Sequence, residues 1–186
     1  MRKTNFVGRV VILIALMFLL APALSASANT PQVNPRLVKQ IRHELATLPY
    51  YGVFDWLEFE MKPDNTVVLR GYVTRPTTKS DAEARVKDIE GVKGVINEIQ
   101  VLPVSPNDDR LRIALYRQLY NWDSPLFRYA TQAIPSIHII VDGGRAILKG
   151  GGNSKADAQL AYMRARSVPG LFDVKNELVV EGELPR

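Results

Sequence analysis

Between Arg110 and Tyr129 the sequence sets guanidinium groups among aromatic rings: Arg110, Arg112, Tyr116, Arg117, Tyr120 and Trp122, then Phe127, Arg128 and Tyr129. At helical spacing, Leu111, Ala114, Leu115 and Leu119 form a core stripe. Ile113, Tyr116, Arg117 and Tyr120, flanked by Arg110 and Arg112, form a second stripe beside it. Rings mixed with arginine on an otherwise solvated face suit a lipid headgroup boundary, where the ring sits half wet and the cation meets phosphate. A packing role competes with that reading. The same stripe can meet another domain of the chain, with Tyr50, Tyr51, Phe54 and Trp56 as the other half of the contact, or it can meet a partner protein. Arg110, Arg112, Tyr116, Arg117, Tyr120 and Trp122 are therefore the candidate lipid- or partner-binding residues.

Catalysis finds little to work with. The two histidines, His43 and His138, fall on a predicted helix and a predicted strand of different units, and neither has an evident acid–base or metal partner. There is no cysteine, which removes disulfides and thiolate metal sites. No serine sits in a nucleophile-elbow glycine pattern. Gly150-Gly151-Gly152 lies between a strand and a helix but lacks the glycine–lysine spacing that cradles phosphate. The expectation is a non-enzymatic protein with no cofactor, no metal and no small-molecule substrate.

The N-terminus reads as a targeting segment. Arg2, Lys3 and Arg9 make a positive start, and Val10 to Ala21 is unbroken apolar sequence, shorter than the roughly 20 residues a spanning helix needs. Pro22 follows, and Ala26-Ser27-Ala28 offers small residues at the two positions a signal peptidase reads. Residues 1–28 are read as a signal peptide cleaved after Ala28, with an uncleaved anchor as the competing reading. Without a cysteine there is no lipoprotein anchor, so the expected location is periplasmic or secreted. The net charge of +5 also shrinks. Losing Arg2, Lys3 and Arg9 from 24 basic residues leaves 21 against 19 acidic ones, which is no footprint for a nucleic-acid binder.

The elements that would position these residues occur twice. Val67 to Val101 aligns on Ala146 to Val180 without a gap. The identical pairs are Leu69/Leu148, Gly71/Gly150, Ala82/Ala161, Arg85/Arg164, Gly91/Gly170, Val95/Val174, Asn97/Asn176, Glu98/Glu177 and Val101/Val180. Identities on glycines and on apolar positions at structural spacing mark a duplicated folding unit. In each copy a helix comes first: Leu37, Ile41 and Leu45 match Leu111, Leu115 and Leu119. An alternating strand follows (Leu57, Phe59 and Met61; Ile137, Ile139 and Val141), then a turn and a second strand. Asp142-Gly143-Gly144 reads as a tight hairpin turn. Gly71 and Gly150 fall inside their strands, where glycine marks a bulge or a close backbone approach. A second helix ends at Gly91 or Gly170, and a third strand closes the unit. The expected organisation is α+β, with two tandem αββαβ domains at 35–103 and 110–181 joined by a linker at 104–109. The opening helix of the second unit is expected over about Asp109 to Asn121.

The ordered set Leu-x-Gly, helix, Gly-(Val/Leu)-x-x-Val-x-Asn-x-(Ile/Leu)-x-Val resembles the BON domain. It stands here as Gly91 to Val101, with Asn97, and again as Gly170 to Val180, with Asn176. The resemblance covers nearly the whole chain beyond the signal segment. One departure is Gly150-Gly151-Gly152, which replaces apolar residues after the strand glycine and should fray that strand end. The resemblance implies a mixed three-stranded sheet with two helices on one face in each unit, with Gly71, Gly91, Asn97, Gly150, Gly170 and Asn176 as structural motif positions. It further implies an envelope or periplasmic setting and binding to anionic phospholipid surfaces or an envelope protein, under osmotic or envelope stress. A soluble periplasmic stress protein with weak chaperone-like activity is the rival reading.

Overall fold

The computed structural model describes residues 34–180. The signal segment and its Ala26–Ala28 cleavage site lie outside the described residues, as does the tail from residue 181. The first unit opens with α1 (Pro35–Ala46). The Asn34 side chain accepts from the Arg36 N–H, and Pro35 takes the first helical position, where its missing donor does no harm. Next come β1 (Trp56–Met61), β2 (Thr66–Val73) and α2 (Pro76–Lys87). The predicted third strand is split into β3 (Gly94–Asn97) and β4 (Gln100–Val101). β2 is central, antiparallel to β1 and parallel to β3 and β4. Leu37, Ile41 and Leu45 of α1 and Ala82 and Val86 of α2 share one core with Val67, Leu69 and Val73 of β2.

The second unit repeats this order with α3 (Pro106–Leu119), β5 (Ile137–Asp142), β6 (Arg145–Gly152), α5 (Lys155–Arg166) and β7 (Asp173–Val180). A short α4 (Phe127–Ala130) lies within the longer loop before β5. Its sheet runs β5–β6–β7, again antiparallel then parallel. The registers coincide: Leu69 pairs with Asn97 and Leu148 with Asn176. Both asparagines do the same work. Asn97 Nδ2 donates to the Lys79 carbonyl of α2 while Asn97 Oδ1 accepts from the Ile99 N–H. Asn176 makes the matching bonds to the Ala158 carbonyl and the Leu178 N–H, so each ties its last strand to its second helix.

Two expectations need correction. α3 starts at Pro106 rather than Asp109, because the Ser105 side chain accepts from the Asp108 N–H as an N-cap and Pro106 follows it. Most of the predicted linker is therefore helix. Nor does the glycine triplet fray. β6 stays paired with β7 through Gly151↔Val179 and Gly152↔Val180, since strand pairing uses the backbone, which glycine supplies in full.

The second helices stop before the glycines expected to end them: α2 closes at Lys87 with Asp88 as its C-cap and α5 at Arg166 with Ser167, while Gly91 and Gly170 lie in the turn that follows, at φ +97° and +91°. A side chain has room at both, the nearest atoms to an added Cβ being 3.9 and 3.6 Å away, so the penalty there is conformational. Valine at either site should destabilise by more than about 1 kcal/mol. Valine at Gly151, whose φ is not positive, should destabilise less in the same urea titration.

The two units meet through the loop between α1 and β1. The Ile139 N–H of β5 donates to the Val53 carbonyl at 2.8 Å, and Val53 and Phe54 pack on the second unit's core. Phe54 meets Tyr116 edge-on with centroids 6.2 Å apart, while Tyr51 and Trp56 hold the His138 ring at 5.7 and 5.2 Å. Asp55 fixes the loop, accepting from the Gly52 N–H and from both the N–H and hydroxyl of Thr74.

Candidate functional site

The six sequence candidates divide between core, seam and surface. Arg112 is 5% exposed. Its Nη2 donates to the Val141 carbonyl at 2.7 Å and its Nη1 pairs with Asp109. It therefore braces α3 against the far end of β5 and presents no cation to a surface. Tyr120 is also buried, its hydroxyl donating to the Ile137 carbonyl. Burial pushes its phenol well above the ordinary value, with the neighbouring Tyr116 and Tyr129 adding to the rise. Tyr116 is half-buried between Phe54 and Tyr120. Tyr116 thus makes the interdomain contact expected of this face, through Phe54, whereas Arg112 and Tyr120 pack within their own unit.

Arg110, Arg117 and Trp122 are exposed, Trp122 at 82%. Arg110 stands apart near the start of α3, bonded to Asn107, about 10 Å along the helix from Arg117. Arg117 and Trp122 belong to the other end. There the chain leaves α3 through two tight turns, with Ser124 N–H bonded to the Asn121 carbonyl and Phe127 N–H to the Ser124 carbonyl. Those turns carry Phe127, 41% exposed, and Arg128, which is exposed and paired with Asp157. Leu126 and Tyr129 of the same loop point inward, and that anchors it. Neither Phe127 nor Arg128 is among the six sequence candidates. The signal was present, since two inward residues three apart (Leu126 and Tyr129) leave Phe127 and Arg128 outside.

His138 lies on the seam and not in a catalytic group. It is buried, and its Nδ1 has no hydrogen-bond partner. Burial holds the imidazole below its ordinary pKa, against the backbone of Asp55 and Gly52 and the Asp55 carboxylate, which favour the proton. A depressed histidine contributes stability that is full above the unfolded value of about 6.5 and is lost as pH falls through the folded value. Melting temperature should therefore drop on acidification below about pH 6.5, and His138→Phe should flatten that slope relative to the parent. His43 is exposed on α1. Among the described residues no three His, Asp or Glu side chains gather as metal ligands, and no helix is long and apolar enough to cross a membrane.

No curated protein matches the chain. Among solved structures it is similar to the C-terminal domain of CdsD, the structural protein of the type III secretion system of Chlamydia trachomatis. The identity is 14%, covering 83% of this chain and 100% of that one, with a TM-score of 0.31. A second CdsD structure shows 15% identity over 78% and 92% of the two chains, with a TM-score of 0.30. The BON domain family model matches residues 40–103 and again 124–182, the same two stretches that carry the doubled glycine, helix and asparagine pattern. The chain thus belongs to the BON domain family, in two tandem copies.

Proposed function

We propose that this chain acts at the bacterial envelope as a non-enzymatic binding protein that docks on anionic phospholipid surfaces. BON domains occur in periplasmic and envelope proteins, and that setting supports the reading. The docking element is the turn after α3, with Trp122 and Phe127 entering the headgroup layer and Arg117 meeting phosphate, while Arg128 is held by Asp157. The observation that carries it is Trp122, a large indole left 82% exposed on a loop whose neighbours Leu126 and Tyr129 are fully packed. An amphipathic ring beside cations gains at a lipid boundary what it lacks in water.

The affinity is modest. An arginine near an anionic surface contributes roughly 1 kcal/mol, so Arg117 alone leaves binding far weaker than millimolar and the rings must supply the rest. Flotation with vesicles tests this. The protein should float with vesicles containing phosphatidylglycerol and stay behind with phosphatidylcholine alone. Binding should weaken as salt shortens the screening length to roughly 8 Å and below. Trp122→Ser should reduce the floated fraction severalfold without shifting the melting temperature. A parent protein that never floats ends the reading.

A further inference from the structure

β6 carries two glycines that its backbone does not require. Gly150 needs to be glycine: its φ is +105°, and a Cβ would lie 2.0 Å from the Ser136 carbonyl oxygen. Gly151 and Gly152 are different. Neither has a positive φ, and a Cβ at either would meet only ordinary contacts, 3.9 Å from the Val179 oxygen and 3.7 Å from the Ser154 oxygen. The aligned positions in the first unit are Tyr72 and Val73. Across the hairpin the contrast repeats: Trp56 pairs with Tyr72 in the first unit, while Ser136 bonds to Gly151 in the second, N–H to carbonyl and hydroxyl to carbonyl, each at 3.0 Å. Two aromatic residues in one copy have become serine and glycine in the other. Strand glycines weaken a strand and mark close approach by something else.

The side chain missing at Gly151 opens a groove of about 570 Å³ at the junction of the units, within the size range of small-molecule sites, while the absent side chain at Gly152 faces α5. Trp56 of the first unit forms one wall, and Ser136, Gln132 and Asn153 of the second supply polar groups. Val179 adds an aliphatic patch. The rim is held in place: the Asn153 N–H donates to the Tyr129 hydroxyl at 2.8 Å, and that hydroxyl donates to Asp157. The Trp56 indole is fixed by its own bond to Glu58 at 3.1 Å and by the His138 ring against it.

No charged side chain lines the groove, and the nearby Lys149, whose Nζ lies 6.0 Å from the Trp56 ring centroid, is already paired with Glu177 at 2.9 Å, so an ion or a phosphate headgroup finds no free counter-charge there. An acyl chain gains most in an enclosed site, and this groove opens to water with Gln132 and Asn153 exposed at its edge. A flat indole, two amides that both donate and accept, and a hydroxyl suit one ligand chemistry. That chemistry is a neutral polyhydroxylated ring, its C–H face on the indole and its hydroxyls on the amides. We propose that the junction groove binds neutral carbohydrate, a short glycan segment stacked on Trp56. The site needs both units, since Trp56 and the glycines come from different copies. It is separate from the Trp122 loop, so its test stands whether or not the protein floats with lipid.

The experiment is a titration of ¹⁵N-labelled protein with tri-N-acetylchitotriose and with maltotriose, followed by NMR. The two indole N–H signals are told apart by Trp122→Phe. The Trp56 indole and the Gly151 and Gly152 amides should shift saturably with at least one of the sugars, while the Trp122 signal stays still. Gly151→Tyr, which restores the side chain of the sister unit, should weaken binding at least tenfold while the melting temperature holds or rises. Asn153→Ala, at an exposed position, should weaken it at least threefold in a protein that still melts like the parent. Absence of a saturable shift with both sugars overturns the proposal. So does unchanged binding in the Gly151→Tyr protein, or a response to decanoate in place of sugar.

Discussion

Alanine at Gly71 or at Gly150 is expected to destabilise the protein by on the order of 4 kcal/mol, a large share of the roughly 5–15 kcal/mol that holds a domain folded. Both residues lie at positive φ, +124° and +105°, on the central strand of their sheet. A Cβ would sit 1.9 Å from the Trp56 carbonyl oxygen in the first unit and 2.0 Å from the Ser136 carbonyl oxygen in the second. These are backbone atoms at the start of the neighbouring antiparallel strand, Trp56 its first residue and Ser136 the residue just before it, so no rotamer change relieves the clash. The hairpin has to open, and with it the ladder that carries Leu57 and Ile137. Strain at a left-handed position adds about 1–2 kcal/mol more. Urea unfolding of both variants, with Gly151→Ala as control, reads the effect. The control should shift by less than about 1 kcal/mol, in either direction, since its added methyl has space and lowers the freedom of the unfolded chain. A shift at Gly71 no larger than at Gly151 would mean the strands part without penalty.

These glycines were legible in the sequence because the chain states its requirement twice. A backbone that cannot accept a Cβ leaves a glycine in both copies, and a side chain that ties strand to helix leaves Asn97 and Asn176. Helix caps were legible for the same local reason: Asn34 and Ser154 sit beside the donors they satisfy. What lay outside the repeat was harder to read. A helical wheel puts Tyr120 next to Arg117 on one face, but it says nothing of what the longer loop does. Leu126 and Tyr129 fold back into the core from that loop and enclose Tyr120 with them. Arg112 escaped for a different reason. Its three-carbon stem lets an arginine at the edge of the core stripe bury its alkyl part and place its donors on a strand carbonyl, and no pattern of residue types separates that from a solvated arginine. The groove beside Gly151 was visible only as a departure from the repeat, and it read as a weak strand end until the strand proved fully paired.

The position of Arg112 separates packing from surface chemistry, because Arg112→Glu and Arg117→Glu change the same charge five residues apart in one helix. At Arg112 the new carboxylate would replace a guanidinium that is 5% exposed, between the Asp109 carboxylate and the Val141 carbonyl oxygen. Three acceptors would then face one another with no donor, and a buried charge without its partner destabilises by about 3–5 kcal/mol. The helix would lose its hold on the end of β5, next to the Gly143–Gly144 turn whose two N–H groups Asp108 caps from the same helix. Arg117→Glu changes a solvated charge in the last turn of α3 and should alter folding by no more than about half a kcal/mol. Its effect belongs to binding: reversing a cation beside Trp122 should remove most of the flotation with phosphatidylglycerol vesicles. The expected pattern is thus a protein that melts many degrees low for Arg112→Glu, and a normally folded protein that no longer floats for Arg117→Glu. Arg112→Met, which keeps the stem and removes the charge, should recover part of the lost stability, since the alkyl portion still covers the core. If Arg112→Glu melted like the parent while flotation was lost, the guanidinium would be serving the surface after all, and the brace between α3 and β5 would carry no weight in the fold.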